Sequence, residues 1–334
     1  MNVLADYHHC DLYHSLHLLL EKRLGAALYR PIGLDWYDRG FWKYSDEEGV
    51  RKQFLELPKE AVDCGSHYEI PDPVHGGFTK AVTLEQFGKM EWEVLMPSVH
   101  QNEVAFMQLR NEFNSAAFLV RQAGNIHDVV DTRICPNVLA SGIPPEIFVD
   151  TNVAIYHQEF DLNVYRPSGE MPENSIYNFQ NCRPESRDAA LFPKYREALS
   201  GYEWKDYGIL CEDGILGSAA EIAAEMQKAK FIWHVKFGGD GFGHIIHNAA
   251  ACGVPLITRA KYYQGLLGGE LLEDGKTCID LDAGTFEENL EKIKFWSEPE
   301  NYAKMRKAVF ARFCEVVDFD KEEVYLREFF LQLR

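Results

Sequence analysis

Positive charge is scarce in this chain: 34 Lys and Arg stand against 52 Asp and Glu, for a formal net charge of −18. Bulk electrostatic attraction to nucleic acid is therefore not expected, although net charge does not report how the charge is distributed. No apolar run approaches the ~18 residues that a membrane span needs. The opening MNVLADYHHCD lacks the basic segment of a signal peptide. The expectation is a cytoplasmic protein with no membrane span. Eight cysteines are scattered without any CxxC pair, which reads as reduced, mostly buried thiols. Internal repeats and low-complexity segments are also missing. What is present is 46% hydrophobic and 13% aromatic residues over 334 positions. That composition excludes general disorder, supports a large core, and at this length favours two domains.

Strand-like and helix-like segments alternate along the whole chain, the rhythm of an α/β architecture with parallel sheets. Strands are predicted over 1–7, 27–32, 92–99, 116–122 and within 147–156, with helices over 12–24 and 102–113. The polar, aromatic-rich stretch 35–73 reads as loops with short helices. The segment Arg166-Pro167-Ser168-Gly169-Glu170-Met171-Pro172 has the composition of a linker. After it, strands are predicted over 175–181, 207–211 and 231–235, with helices over 187–200, 218–230, 287–296, 301–317 and 321–333. Ser218 followed by Glu221 has the spacing of a capping box. The pattern predicts two βαβ-type domains of similar size with a cleft between them, where ligands of such folds usually sit.

The most informative segment is KFGGDGFGHIIHNAAACGVPLI, Lys236 to Ile257. A strand feeds a turn rich in glycine (Gly238, Gly239, Gly241, Gly243), then a short helix, then Gly253 and a buried strand. Backbone N–H groups and the positive end of a helix dipole come together in such a turn, and the combination suits a pyrophosphate.

Here the order of residues resembles the nucleotide-sugar-dependent glycosyltransferases of the GT-B fold, particularly the retaining, group 4-like branch. That branch carries Glu-Gly-Phe-Gly, four residues, then Glu-Ala-Met-Ala-Cys-Gly-x-Pro. This chain has Asp240-Gly241-Phe242-Gly243, then His244 to His247, then Asn248-Ala249-Ala250-Ala251-Cys252-Gly253-Val254-Pro255, without a gap. The close match covers about sixteen residues, and the order of elements fits across the carboxy half, including Glu273-Asp274-Gly275 before a short strand. The resemblance implies a GT-B type α/β fold with two Rossmann-like domains facing a central cleft. It places an acceptor domain over 1–165, a nucleotide-sugar donor domain over 166–317, and a C-terminal helix over 318–334 packing back toward the first domain. It implies no cofactor beyond a nucleoside-diphosphate sugar as co-substrate, and no catalytic metal, because helix dipoles and basic side chains can stabilise the leaving diphosphate.

The two glutamates of the family appear here as Asp240 and Asn248. The resemblance assigns the first to the donor sugar and the second to the nucleotide ribose. Asp240 keeps the charge on a shorter arm, whereas Asn248 offers an amide in place of an acceptor-only carboxylate. An Asp at position 240 would also suit a helix cap. Gly241, Phe242, Gly243 and His244 would face the diphosphate. A cation opposing it is expected from the loop after the first strand of the carboxy domain, either Arg183 or Arg187, with Lys194 a further candidate. Tyr262, Tyr263 and Gln264 lie where the family approaches the donor phosphates and sugar, or else pack within a loop.

On the acceptor side, His8, His9 and Asp11 follow the opening strand, together with Asp6. Adjacent histidines without helical spacing and without an identifiable third ligand make a metal site there the weaker reading. His100 follows the strand ending at Val99, matching by position a family histidine near the donor sugar, and histidine exchanges protons near neutrality. Tyr156-His157-Gln158-Glu159-Phe160-Asp161 could face the cleft or form a surface turn.

The implied activity is glycosyl transfer, of hexosyl or pentosyl type, to an acceptor that is a small molecule, a glycan, a protein or a modified DNA base. A basic and aromatic group (Arg23, Arg30, Trp36, Arg39, Trp42, Lys43) keeps DNA in play, since such side chains pair with phosphate and stack on bases. A nucleotide-sugar epimerase, or a binding protein that has lost catalysis through Asn248, are the alternatives on the same scaffold.

Overall fold

A computed structural model describes residues 1–7, 9–33, 35–36, 39–41, 57–113, 116–148 and 151–333. His8, Trp42 and Lys43 lie outside the described residues. The chain divides into two compact units, Met1–Phe160 with Phe319–Arg334, and Asp161–Asp318.

The first unit carries strands β1 (Asn2–Ala5), β2 (Ala27–Pro31), β3 (Val62–Asp63), β4 (Tyr68–Pro71), β5 (Phe78–Val82), β6 (Val94–Met96), β7 (Phe118–Ala123), β8 (Asn137–Ala140) and β9 (Asn152–Ile155). They form one sheet in the order β3-β4-β5-β2-β1-β6-β7-β8-β9. All pairs are parallel except β3–β4 and β4–β5 at one edge. Helix α1 (Cys10–His17) continues as a π-helical segment, Leu18–Arg23, and buries Leu12, Leu16, Leu19 and Leu20. Helices α2 (Leu84–Phe87) and α3 (His100–Phe113) follow β5 and β6. The stretch 35–73 was expected to hold loops and short helices, yet it supplies β3 and β4. These strands are short, polar and at an edge, so they lack the apolar alternation that marks a half-buried strand.

The second unit contains β10 (Ser175–Asn178), β11 (Glu203–Asp206), β12 (Phe231–His234), β13 (Leu256–Thr258) and β14 (Cys278–Asp280). All are parallel, in the order β11-β10-β12-β13-β14. Between them run α4 (Leu191–Ala198), α5 (Ala219–Lys228) and α6 (His244–Ala251), and α7 (Phe286–Ser297) and α8 (Pro299–Val316) follow β14. Strand β11 lies upstream of the expected 207–211. There the chain turns instead, through Gly208 at φ 139° and Leu210 at φ 61°. Ser218 caps α5 by accepting the Glu221 N–H at 3.2 Å, while the Glu221 carboxylate takes the Gly217 N–H rather than that of Ser218. Phe192, Trp204 and Trp233 pack edge to face in the core beneath α4.

The chain then returns to the first unit. Helix α9 (Phe319–Leu331) inserts Leu326 and Phe329 among Val3, Leu16 and Leu20. Its Glu322 accepts the His157 N–H at 2.9 Å and meets the His157 ring at 2.5 Å. All eight cysteines are free, but only Cys135, Cys252 and Cys278 are buried, fewer than expected. No helix among the described residues is long and apolar enough to cross a membrane.

Candidate functional site

In the second unit the strand order reverses between β10 and β12, the place where open α/β sheets bind ligands at strand carboxyl ends. The glycine turn leaves the end of β12. Gly238 and Gly239 hold φ of 80° and 78°. A Cβ on Gly239 would stand 2.3 Å from the Tyr262 carbonyl oxygen, so a side chain there is excluded by both conformation and space. Gly243, at φ 78°, is the N-cap residue of α6, and no side chain caps this helix. The N–H groups of Ile246 and His247 turn back to the Gly243 carbonyl. Beneath the turn Phe242 is buried and stacks on His247, with ring centroids 3.9 Å apart.

Asp240 therefore does not cap α6. Its carboxylate is hydrogen-bonded by His234 Nε2 at 2.8 Å and by the Lys236 ammonium. Burial pushes the Asp240 carboxyl up, but His234 and Lys236 outweigh it and hold the group well below the usual carboxylate range. His234 ends β12, is 1% exposed, and its backbone carbonyl accepts the Thr258 hydroxyl at 2.6 Å. Its Nδ1 is buried with no hydrogen-bond partner among the described residues. Asn248 lies one turn into α6, also buried, and its Oδ1 likewise has no partner among them. Two unpaired polar atoms of this kind are costly unless something else satisfies them.

The two arginines behave differently. Arg183 is buried and bidentate on Asp206, at 2.8 and 2.5 Å, with its guanidinium 4.0 Å from the Phe192 ring centre. Arg187 is exposed and stacks 4.2 Å over Phe237, a residue of the glycine-turn loop. Lys194 sits 3.8 Å over the Phe286 ring. Past β13, Tyr262 donates to Asp188 at 2.7 Å and Arg259 reaches Asp188 at 3.3 Å, while Tyr263 is buried. Gln264 follows Tyr263 in the same loop. The sequence reading missed His234 and Lys236, although their i, i+6 and i, i+4 spacing to Asp240 across a glycine turn was visible.

In the first unit the reversal falls between β1 and β6. Asp6 is buried there and accepts from the Ser98 N–H at 2.8 Å and the Asn102 amide at 2.7 Å, tying the end of β1 to the start of α3. His100 opens α3 and bonds Glu103 at 3.0 Å, and Glu103 also holds the buried Arg121 at 3.0 Å. His9 precedes α1, 3.8 Å from Asp11. Asp11 contacts His75 at 3.0 Å, and His75 lies 3.5 Å from Asp72. Burial lowers the His75 pKa, but the two carboxylates raise it to about 9. His14 stacks on His75 at 4.0 Å, and burial followed by that neighbour depresses it to about 4. The sequence reading found Asp11 but not Asp72, His75 or His14, which come from a turn and a helix face that nothing local ties to Asp11.

Residues 156–160 belong to the first unit, where Gln158 donates to Ser141 at 2.6 Å and Glu159 pairs with Arg23 at 2.7 Å, while Asp161 begins the second. The suggested basic and aromatic face is not formed by its described members. Arg23 is also paired with Asp320, Arg30 and Trp36 are buried, and Arg39 is paired with Glu112.

Two Rossmann-like units with this glycine turn define a GT-B type fold, the fold of a class of glycosyltransferases. Solved structures similar to the chain include HepE of Anabaena in complex with UDP and glucose, at a TM-score of 0.64 and 13% identity over 100% of both chains. The pneumococcal O-GlcNAc transferase GtfA, in complex with UDP and GlcNAc, aligns at 0.61 and 9% over 99% of each chain. An alpha-glucosyltransferase in complex with UDP-glucose and DNA containing an abasic site aligns at 0.54 and 10% over 98% of each. At such identities the likeness is one of fold. No protein-family model and no curated protein sequence matches the chain.

Proposed function

We propose that this protein transfers a sugar from a nucleoside-diphosphate sugar to an acceptor, with the donor seated on the second unit. The observation that carries the reading is the uncapped start of α6 beside an ionised, half-buried Asp240. A helix N-terminus seats a diphosphate at its positive end, and Arg187, exposed beside Phe237 of the glycine-turn loop, would oppose it. Asp240 supplies negative charge where an oxocarbenium-like centre develops. Asn248 takes the ribose hydroxyls, which would satisfy its buried Oδ1. The retaining outcome and the absence of a catalytic metal belong to this proposal, as do a cytoplasmic location and an acceptor site built on Asp11, His9 and His100. A DNA acceptor is the less favoured choice, given the paired or buried state of Arg23, Arg30, Trp36 and Arg39.

Isothermal titration with uridine, guanosine, adenosine and thymidine diphosphates tests the donor. One of them should bind in the micromolar range, and no binding by the folded protein at millimolar ligand would overturn the reading. Product analysis with the preferred donor separates the classes, because an epimerase yields an isomeric nucleotide sugar without any acceptor.

A further inference from the structure

We propose that the β3–β4 hairpin of the first unit is a binding site for a zinc-class divalent cation, held by Cys64, His67 and Glu69. One ligand atom from each lies within 4.8 Å of the others. The backbone explains why. Val62 pairs with Glu69 and Asp63 with Tyr68 in antiparallel register, and the Cys64 N–H donates to the His67 carbonyl at 2.9 Å. Cys64 and His67 are thus opposite one another across a two-residue turn, and Glu69 is two residues beyond His67. Alternation places all three side chains on one face of the hairpin. Gly65, at φ 82°, makes the turn, with its N–H bonded to Asp63 at 2.7 Å.

The donor set is thiolate, imidazole and carboxylate, which suits a tetrahedral zinc-class ion with one position left for water. Ser66 Oγ lies 3.0 Å from His67 Nδ1 and orients the ring, as second-shell groups do for metal-bound histidines. Lys80, opposite Glu69 in the β4–β5 register, is tied to Glu21 at 2.6 Å. A second group, His14, Asp72 and His75, has similar proximity but stacks its two rings at an interplanar angle of 7°. One ion cannot lie in both ring planes there, and no such obstacle exists at the hairpin. On binding, the Cys64 thiol proton passes to solvent and the thiolate bonds the ion, pinning a short edge hairpin.

The test uses the intact protein and zinc alone. Iodoacetamide labelling is followed by peptide mass mapping, with exposed Cys314 as internal control. Equimolar zinc should slow Cys64 alkylation at least tenfold and leave Cys314 unchanged. Cobalt should give a thiolate charge-transfer band that is lost in Cys64→Ser and His67→Asn. Glu69→Gln should weaken the metal about 10- to 100-fold. Alkylation of Cys64 at the same rate with and without excess zinc overturns the proposal. So does full zinc protection in His67→Asn, since another ligand set would then hold the ion. Retained nucleotide binding and an unchanged melting profile without metal identify variants that are folded.

Discussion

Replacing Asp240 by Asn alters one charge and almost no volume. The carboxylate is ionised throughout the working pH range, since His234 and Lys236 hold its pKa well below normal against the opposing effect of burial. If that charge faces the developing positive centre, its loss belongs with removal of one preorganised electrostatic group, about 2.7–4 kcal/mol or roughly 10²–10³ in kcat. The effect on folding is smaller. Lys236 is 45% exposed, so its ion pair contributes at most about 1 kcal/mol. The His234 hydrogen bond falls from charge-assisted to neutral, a further ~1 kcal/mol. The variant should therefore stay folded, with a melting temperature only modestly reduced. A nucleoside diphosphate carries no sugar, so its Kd should stay within about threefold, and the loss should appear in turnover alone. Calorimetry, thermal melting and release of nucleoside diphosphate from the donor measure the three quantities. Turnover within threefold of the unaltered protein would refute the electrostatic argument. A Kd weakened more than tenfold would move Asp240 from the sugar to the nucleotide. Asp240→Glu, which keeps the charge, should retain most activity.

Arg183→Ala should destabilise the protein by about 3–5 kcal/mol, because it strands the buried Asp206 carboxylate, whereas Arg187→Ala should leave melting unchanged and weaken nucleoside diphosphate binding. Thermal melts and calorimetry on the pair separate the two arginines that the sequence leaves equivalent. Asn248→Glu should cost about 1–3 kcal/mol without ligand, as it buries an unpaired carboxylate. It should tighten nucleoside diphosphate binding about tenfold through charge-assisted ribose contacts, and unchanged affinity would reject the ribose assignment. For His75, the folded pKa of about 9 lies above the ordinary 6.5, so its stabilisation is full below pH ~6.5 and is lost as pH rises through 9. The melting advantage over His75→Gln should shrink across that window, from about 1–2 kcal/mol after discounting for the 37% exposure of Asp11. A pH-independent difference would mean that the ring is neutral.

The α/β character and the strand–glycine turn–helix unit were legible in the chain, because both are local. Periodicity reports which face of a segment is buried, and positive φ values at Gly238, Gly239 and Gly243 are written in the residue type. The edge strands β3 and β4 were not, since short polar strands owe their existence to the neighbours that pair with them. Nor was β11, because the more apolar 207–211 invited a strand where Gly208 and Leu210 impose a turn. What the tertiary structure alone decided is which charges meet. Arg183 is taken by Asp206, 23 residues away, and Asp11 is joined to His75, 64 residues away. A composition or a spacing records that these groups exist, but ion pairing acts through distance in space. That distance is set only once distant strands have found their register and closed the sheet around them.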